Sequence, residues 1–257
     1  MPLVKGRDGV QAPASWEQAI QSAHSGLKSS RDAGGADSII GLGSAMATNE
    51  ALFLFRKYIS EQIGPANFEF RLDHEDQKVT EREDQLLRRM DKHANSTGAV
   101  KLGLLSEKFG GIDGLIKAAG EGKLKAGVLI YLRPLVSRPG DVDLEAKVAE
   151  LVKKLEYSVV LAAEKTDWLA DSNVVLPVAN WSEEEGTYTN FQGRVQFAGQ
   201  AISPGDDILP VWQVMSMLLE AGGTSTVWTS PAEVFSTLAK EVGAFKSLSY
   251  EETRLPG

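Results

Sequence analysis

The chain contains 257 residues, carries a formal net charge of −8 and has no cysteine. Without thiols it cannot form disulfides, thiolate nucleophiles, or cysteine-ligated zinc and iron–sulfur sites. Its acidic balance also argues against a nucleic-acid partner, which favours a basic surface. At 42% hydrophobic and 24% charged residues, the composition is that of a globular protein with a sizeable core.

The first residues, MPLVKGRDGV, place charges and turn formers where a signal peptide would have an apolar segment. No apolar run approaches the roughly 20 residues that a membrane-spanning helix requires. We therefore expect a cytoplasmic protein without direct membrane insertion.

The N-terminal part of the sequence predicts an arm followed by the first half of a βαβ unit. Residues 1–14 are rich in Gly and Pro and are expected to be irregular. Apolar spacing predicts an amphipathic helix over 16–31 and a buried strand over 38–42. Thr48 or Asn49 is then a suitable N-cap for a helix over 49–64.

Strand and helix patterns continue to alternate through the middle of the chain. The predicted elements are strand 67–72, helix 80–91, strand 126–132, helix 143–156, strand 157–163, a short helix at 166–172 and strand 173–179. The strands from 126 onward are almost continuously apolar, which is typical of strands buried on both faces. We therefore predict an α/β fold with a doubly wound, mostly parallel sheet and helices on both faces.

Residues 181–257 are expected to extend this single domain, 1–257, with a hairpin and helices. TYTNF and RVQF flank a short Gly-containing turn, as in a β-hairpin. Pro204 and Pro231 each introduce a helical pattern, at positions where helices commonly begin. The tail FKSLSYEETRLPG is predicted to be a surface coil.

The turn GLGSAMATN, between the first strand and the second helix, has two interpretations. A helix N-terminus reached through small residues can hold an anion. The turn lacks the G-x-G-x-x-G spacing, however, and small residues equally allow a tight strand-to-helix reversal. Tight packing is the favoured interpretation, with nucleotide binding as the alternative.

Two acidic segments could carry chemistry. Glu183–Glu185 in WSEEEGTYTNFQGRVQ could act as acid–base groups of a hydrolase, but three adjacent acids cannot all face one pocket, and Gly, Thr and Asn favour a turn. His74 in LDHED could bind a metal, yet it lacks the i, i+4 pairing of helical metal sites. A structural role is favoured for both, so no catalytic or metal-binding residue is assigned.

Several segments, taken in order, resemble one family. They are MPLVKGRDG, SWEQAI, GADSIIGLGSAMATNE, ANSTGAVKLGLL, GKLKAGVLIYL, SPGDDILPVW and, most specifically, TDWLADSNVVLPVANWSEEEGTYTNFQGRVQ. Together they resemble the large iron–sulfur subunit of respiratory NADH:quinone oxidoreductase (complex I), a relative of molybdopterin oxidoreductases such as formate dehydrogenase. The chain lacks that family's cysteine-rich N-terminal domains, and only about 40 residues replace its middle domain.

The resemblance implies a non-catalytic scaffold subunit in the peripheral arm of a complex I-type assembly, without a cofactor of its own. Its partners would be other subunits, including a separate iron–sulfur chain that carries the electrons, and it would lie on the cytoplasmic side, peripheral to the inner membrane. The alternative is a pterin- or nucleotide-binding protein of the molybdopterin oxidoreductase family. Its candidate contacts are Gly43, Ser44, Thr48, Asn49, Glu185, Thr187, Asn190 and Arg194.

Overall fold

The computed structural model describes residues 1–64, 67–70, 93–105, 108–132 and 141–254. Seven strands form one mixed sheet in the order β2-β1-β7-β6-β5-β3-β4, and two more form a separate hairpin. The strands are β1 Leu3–Lys5, β2 Gln11–Pro13, β3 Ile39–Leu42, β4 Asn67–Glu69, β5 Ala126–Tyr131, β6 Tyr157–Ala162, β7 Val174–Pro177, β8 Gly186–Thr189 and β9 Val195–Ala198. The five strands β3 to β7 are parallel to one another, whereas β1 is antiparallel to both β7 and β2.

Helices cover both faces of the sheet. They are α1 Trp16–Gly34, α2 Asn49–Tyr58, α3 Ser96–Lys101, α4 Ile112–Gly120, α5 Asp141–Lys154, α6 Val211–Ala221 and α7 Pro231–Glu241. One apolar cluster joins α1, α2, α6 and α7 to the sheet, and a second cluster joins α4 and α5 to the opposite face. The predicted doubly wound α/β fold with a C-terminal hairpin and helices is confirmed. Across the described ranges, no helix has both the length and the apolarity to cross a bilayer.

Local capping explains where the best-predicted helices begin. Ser15 and Gln18 exchange hydrogen bonds in a capping box at the start of α1. The Thr48 hydroxyl accepts from the backbone N–H of Ala51 at the start of α2. Pro231 occupies the first turn of α7, as expected, behind the capping residue Ser230.

Pro204 does not begin a helix, contrary to the prediction, because α6 starts seven residues later at Val211. The intervening chain forms a turn, in which the N–H of Ile208 donates to the Gly205 carbonyl, and then pairs at Leu209 with the segment after β7. Leu209 forms a parallel bridge with Val178, and its carbonyl accepts from the N–H of Ala179. A helix can therefore begin only after Pro210.

The predicted irregular arm, 1–14, instead supplies the two edge strands β1 and β2. Gly9 has a φ of 81° and allows the tight reversal between them, closed by the N–H of Gly6 donating to the carbonyl of Val10. The three-residue strands were too short for hydrophobic alternation to reveal.

The C-terminal tail, which the structure describes up to Arg254, is also not the predicted surface coil. Its side chains Phe245 and Tyr250 are buried, and both rings pack against Phe235 of α7. The Arg254 guanidinium lies 3.8 Å from the ring centroid of Phe197 in β9, which ties the tail to the hairpin. The predicted helix 80–91, the end of strand 67–72 and His74 lie outside the described residues.

Candidate functional site

The order of the parallel strands identifies one edge of the sheet as a candidate binding site. From β3 the chain moves to β4 on one side and then to β5 on the other, so the topology switches direction between β3 and β5. In doubly wound sheets, ligands bind outside the carboxyl ends of the strands at such a switch point. Gly43 and Ser44, two of the predicted contacts, directly follow β3 at this edge.

The turn containing Gly43 and Ser44 is buried and tightly bonded within the chain. The N–H of Gly43 donates to the Glu69 carbonyl at 2.8 Å, and the Ser44 hydroxyl accepts from the N–H of Met46 at 3.2 Å. The N–H of Ala47 donates to the Ser44 carbonyl. This geometry agrees with the tight-packing interpretation of GLGSAMATN.

Thr48, Asn49 and Thr187, three further predicted contacts, meet in a buried polar network. The Asn49 amide donates to the Thr187 hydroxyl at 3.0 Å. Thr187 in turn donates through both its hydroxyl and its backbone N–H to the Glu50 carboxyl group, at 2.8 and 2.9 Å. The network fastens the hairpin strand β8 to the N-terminal turn of α2.

Asn95, just before α3, completes this network. Its side-chain amide donates to the Ala47 carbonyl at 2.8 Å, and its side-chain carbonyl accepts from the N–H of Thr189 at 2.7 Å. The Thr189 hydroxyl donates to Asn49 at 3.2 Å. Asn49, Glu50, Asn95 and Thr187 are all 0% exposed, so the polar groups of the network depend on these internal bonds.

Two of the buried carboxyl groups in this region have a raised pKa. Burial raises the pKa of Glu50 to about 7, despite the hydrogen bonds from Thr187 that favour the charged form. Burial also raises the pKa of Glu184 to about 8, and the nearby Glu50 charge adds to the effect. Glu184 accepts from the N–H of Val211 and so caps α6, but its second oxygen has no partner among the described residues.

The three adjacent acids point to three different places. The Glu183 carboxylate accepts from the N–H of Asn180, Glu184 is buried against α6, and Glu185 lies 3.9 Å from Arg254 at the surface. They therefore do not converge on a reacting atom, as two catalytic carboxylates must. The arrangement supports the structural interpretation of this segment.

Asn190 and Arg194 lie away from the buried network, in the turn between β8 and β9. The Asn190 side-chain carbonyl accepts from the N–H groups of Gln192 and Arg194, each at 3.0 Å. Arg194 is exposed. The predicted contacts therefore divide into a turn at the sheet edge, a buried network and an exposed hairpin tip, with Glu185 apart from all three beside Arg254.

The sequence analysis did not select four residues that complete the network: Glu50, Asn95, Gly98 and Thr189. Glu50 looked like an ordinary acidic residue in the first turn of a helix. Asn95 lies in a polar connection where Asn is common. Only the repeat of small and amide residues in TNE, ANSTG and GTYTN could have pointed to them.

Gly98 permits α3 to pack against the network. A Cβ at this position would lie 2.1 Å from the Asn95 side-chain oxygen and 2.2 Å from that of Asn49. We expect Gly98→Ala to lower the free energy of unfolding by about 1–3 kcal/mol in urea denaturation. The control is Gly120→Ala in α4, where the nearest atom is at 3.6 Å, and it should be neutral or stabilising. Equal losses in both variants would contradict the packing role of Gly98.

Two buried donors without partners lie near the carboxyl end of β6. In the described part of the chain, neither the Thr166 hydroxyl nor the Trp168 indole N–H has a hydrogen-bond partner. The Trp168 ring is 8% exposed and stands edge-on to Tyr131, the last residue of β5, at 5.0 Å between centroids. Unpaired buried donors are rare and are costly unless a ligand or water satisfies them.

No metal-binding group is apparent in these ranges. Among the described residues, no three His, Asp or Glu side chains cluster as metal ligands, and the chain has no cysteine.

A protein-family model described as molybdopterin oxidoreductase matches residues 87–221, just over half of the chain. Formate dehydrogenase 1 subunit alpha of Methanococcus maripaludis is 30% identical over 149 residues, which cover 57% of this chain and 21% of that protein. Formate dehydrogenase 2 subunit alpha of the same organism is 32% identical over 119 residues, covering 46% and 18%. A putative formate dehydrogenase of Bacillus subtilis is 31% identical over 140 residues, covering 53% and 14%. The chain thus spans about a fifth, or less, of the length of these relatives.

Among solved structures, the acetylene hydratase of Pelobacter acetylenicus matches 55% of this chain and 19% of its own, with 16% identity and a TM-score of 0.39.

Proposed function

This chain belongs to the molybdopterin oxidoreductase family, and from this premise we propose that it is a pterin- or nucleotide-binding module of a formate-dehydrogenase-type assembly. In this proposal it contributes to holding the organic part of the cofactor and supplies no metal ligand. The relatives that support the assembly are named as alpha subunits, so companion subunits are part of the proposal.

The observation that carries the proposal is the pair of unpaired donors at Thr166 and Trp168. An indole N–H can only donate, so its natural partner is a carbonyl, ring-nitrogen or phosphate oxygen acceptor. Pterin and nucleotide groups are rich in such acceptors. The two donors lie beside the ends of adjacent parallel strands, on the side of the sheet where this fold class binds ligands. The residues present therefore fit the organic part of such a group.

The residues present do not fit a metal ion in the same way, and not all of the predicted contacts are available to a ligand. Without cysteine, the usual thiolate ligand is missing. Asn49 and Thr187 form their side-chain hydrogen bonds with each other and with Glu50, and the Thr48 hydroxyl accepts from the N–H of Ala51. When bound, the cofactor would supply the redox chemistry, whereas this chain would bind and orient it. Contacts from Gly43, Ser44, Glu185, Asn190 and Arg194 stay predictions.

Trp168→Phe tests the proposal because it keeps an aromatic ring at this position and removes the indole N–H, together with the second ring that the control variant below also loses. Protein purified from its native host should release pterin on denaturation, measured by fluorescence after oxidation. We expect the variant to retain about tenfold less pterin per chain. The matched control is Trp228→Phe, since the Trp228 N–H already donates to Thr237 at 3.0 Å. The proposal would be overturned if the wild-type protein, purified together with its companion subunits, released no pterin.

A structural role in a complex I-type assembly is the second candidate, and the closed network favours it. Because Asn49, Glu50 and Thr187 satisfy one another without a ligand, this part of the fold needs none. In that case an iron–sulfur chain would carry the electrons, and the protein would lie on the cytoplasmic side of the inner membrane. Affinity purification followed by mass spectrometry separates the candidates: NADH:quinone oxidoreductase subunits and no pterin would favour the second one.

A further inference from the structure

A groove runs between α7 and the tail segment 246–250. This open groove has a volume of about 570 Å³, within the roughly 300–1,000 Å³ typical of small-molecule sites. Its floor is apolar and includes Phe235 and Ala239 of α7, with Leu248 on the opposite wall. The exposed fraction of Leu248 is 38%, which is large for an apolar side chain.

Two lysines border this apolar floor. Lys240 stands in the last turn of α7 and Lys246 on the tail, and both side chains are exposed. Within the described residues, neither lysine forms an ion pair, although the chain as a whole has a net charge of −8. The nearby Glu252 carboxylate is already engaged by the N–H and hydroxyl of Ser249, at 3.0 and 2.7 Å.

The tail wall of the groove is held in an unusual backbone conformation. Ser247 has a φ of 73°, and it is the one non-glycine residue with positive φ among those the structure describes. This region is unfavourable for residues with a Cβ, and such strain persists where the surrounding contacts impose it. The burial of Phe245 and Tyr250 on either side fixes the strained residue between Lys246 and Leu248.

We propose that this groove binds a small organic anion with an apolar body, such as an alkyl carboxylate. The apolar floor receives the hydrocarbon part, and Lys240 and Lys246 bind the anionic head. An amphipathic ligand satisfies both halves of the groove, whereas an inorganic anion would leave the floor exposed. This site is independent of the cofactor-binding proposal, which concerns the carboxyl ends of the parallel strands.

Calorimetric titration with octanoate at low ionic strength tests the proposal on the full chain. We expect saturable binding with one octanoate per chain, and at least about tenfold weaker binding by the double variant Lys240→Gln/Lys246→Gln. Lys117→Gln is the matched control, since Lys117 is also an exposed lysine in the last turn of a helix, α4. It should bind octanoate as the wild-type protein does.

Two further probes separate the contributions of the floor and the lysines. Butanoate, with a shorter chain, and octanol, without the charge, should each bind at least about tenfold more weakly than octanoate. Ala239→Trp should fill the groove and abolish binding while circular dichroism confirms an unchanged fold. The proposal is overturned if octanoate binding does not saturate. It is also overturned if the double variant Lys240→Gln/Lys246→Gln and the control Lys117→Gln bind octanoate with the same affinity.

Discussion

Asn95→Ala is expected to lower the free energy of unfolding by about 3–5 kcal/mol. The substitution removes both side-chain bonds of Asn95, leaving the Ala47 carbonyl and the Thr189 N–H without partners in a region closed to water. Each orphaned buried group costs about 1–3 kcal/mol, and the cavity adds to the loss. Urea denaturation of the purified protein, followed by circular dichroism, measures the difference.

Asn190→Ala provides the matched control for this prediction. Asn190 also accepts from backbone N–H groups, but it lies at the exposed hairpin turn, where water can replace the lost bonds. We expect a loss of no more than about 1 kcal/mol there. Comparable losses in the two variants would show that burial of the network does not govern its stability.

Stability is expected to fall as the pH rises from about 5 to about 8. The pKa of Glu50 is raised by burial to about 7, from an ordinary value of 4.5, so the folded state holds its proton more tightly than the unfolded chain. Its contribution is fully present below about pH 4.5 and is lost as the pH rises through about 7. The linkage relation makes this loss about 3 kcal/mol for Glu50 alone. Glu184 acts in the same direction up to about pH 8, but the two carboxyl groups interact and their losses do not simply add.

Glu184→Gln should flatten this dependence and increase stability above about pH 8. The substitution keeps an acceptor for the N–H of Val211 while removing the ionisation. Glu185→Gln is the neighbouring control: its carboxylate is at the surface, so the dependence should persist. Burial lowers the pKa of His24, which acts in the opposite sense near neutral pH, and the comparison between variants cancels its contribution. An unchanged slope in Glu184→Gln would contradict the role assigned to the buried pair.

Elements defined by local chemistry were predictable from the sequence. The Ser15 and Thr48 caps and the apolar runs of β5 and β6 depend on residues a few positions apart, so periodicity and capping rules locate them. The hairpin was predictable for the same reason, since its turn residues adjoin its strands. The starts of α6 and β1 were not, because each depends on pairing with the region of β7, which is distant in the sequence.

The candidate site was only partly predictable. Seven of the eight predicted contacts belong to the two segments, 43–49 and 185–190, that the structure brings together through Glu50 and Thr187. The burial of Glu50 and Asn95 depends on how three distant segments pack, which a single sequence does not reveal. The unpaired donors at Thr166 and Trp168 could not be found at all from sequence, since an unmet hydrogen bond is a property of the folded surroundings.

The bonds between Thr187 and Glu50 also join two segments that are synthesised at different times. These residues are 137 positions apart, and Thr189 bonds with Asn49 across 140 positions. A growing chain therefore exposes Asn49, Glu50 and Asn95 to water until β8 has left the ribosome, and closing so long a loop is a slow step. We therefore expect the hairpin to dock late in the folding of the domain. Pulse-labelled hydrogen exchange during refolding should accordingly show the N–H of Thr187 protected later than the N–H groups within α2. Protection of both in the same phase would exclude this order.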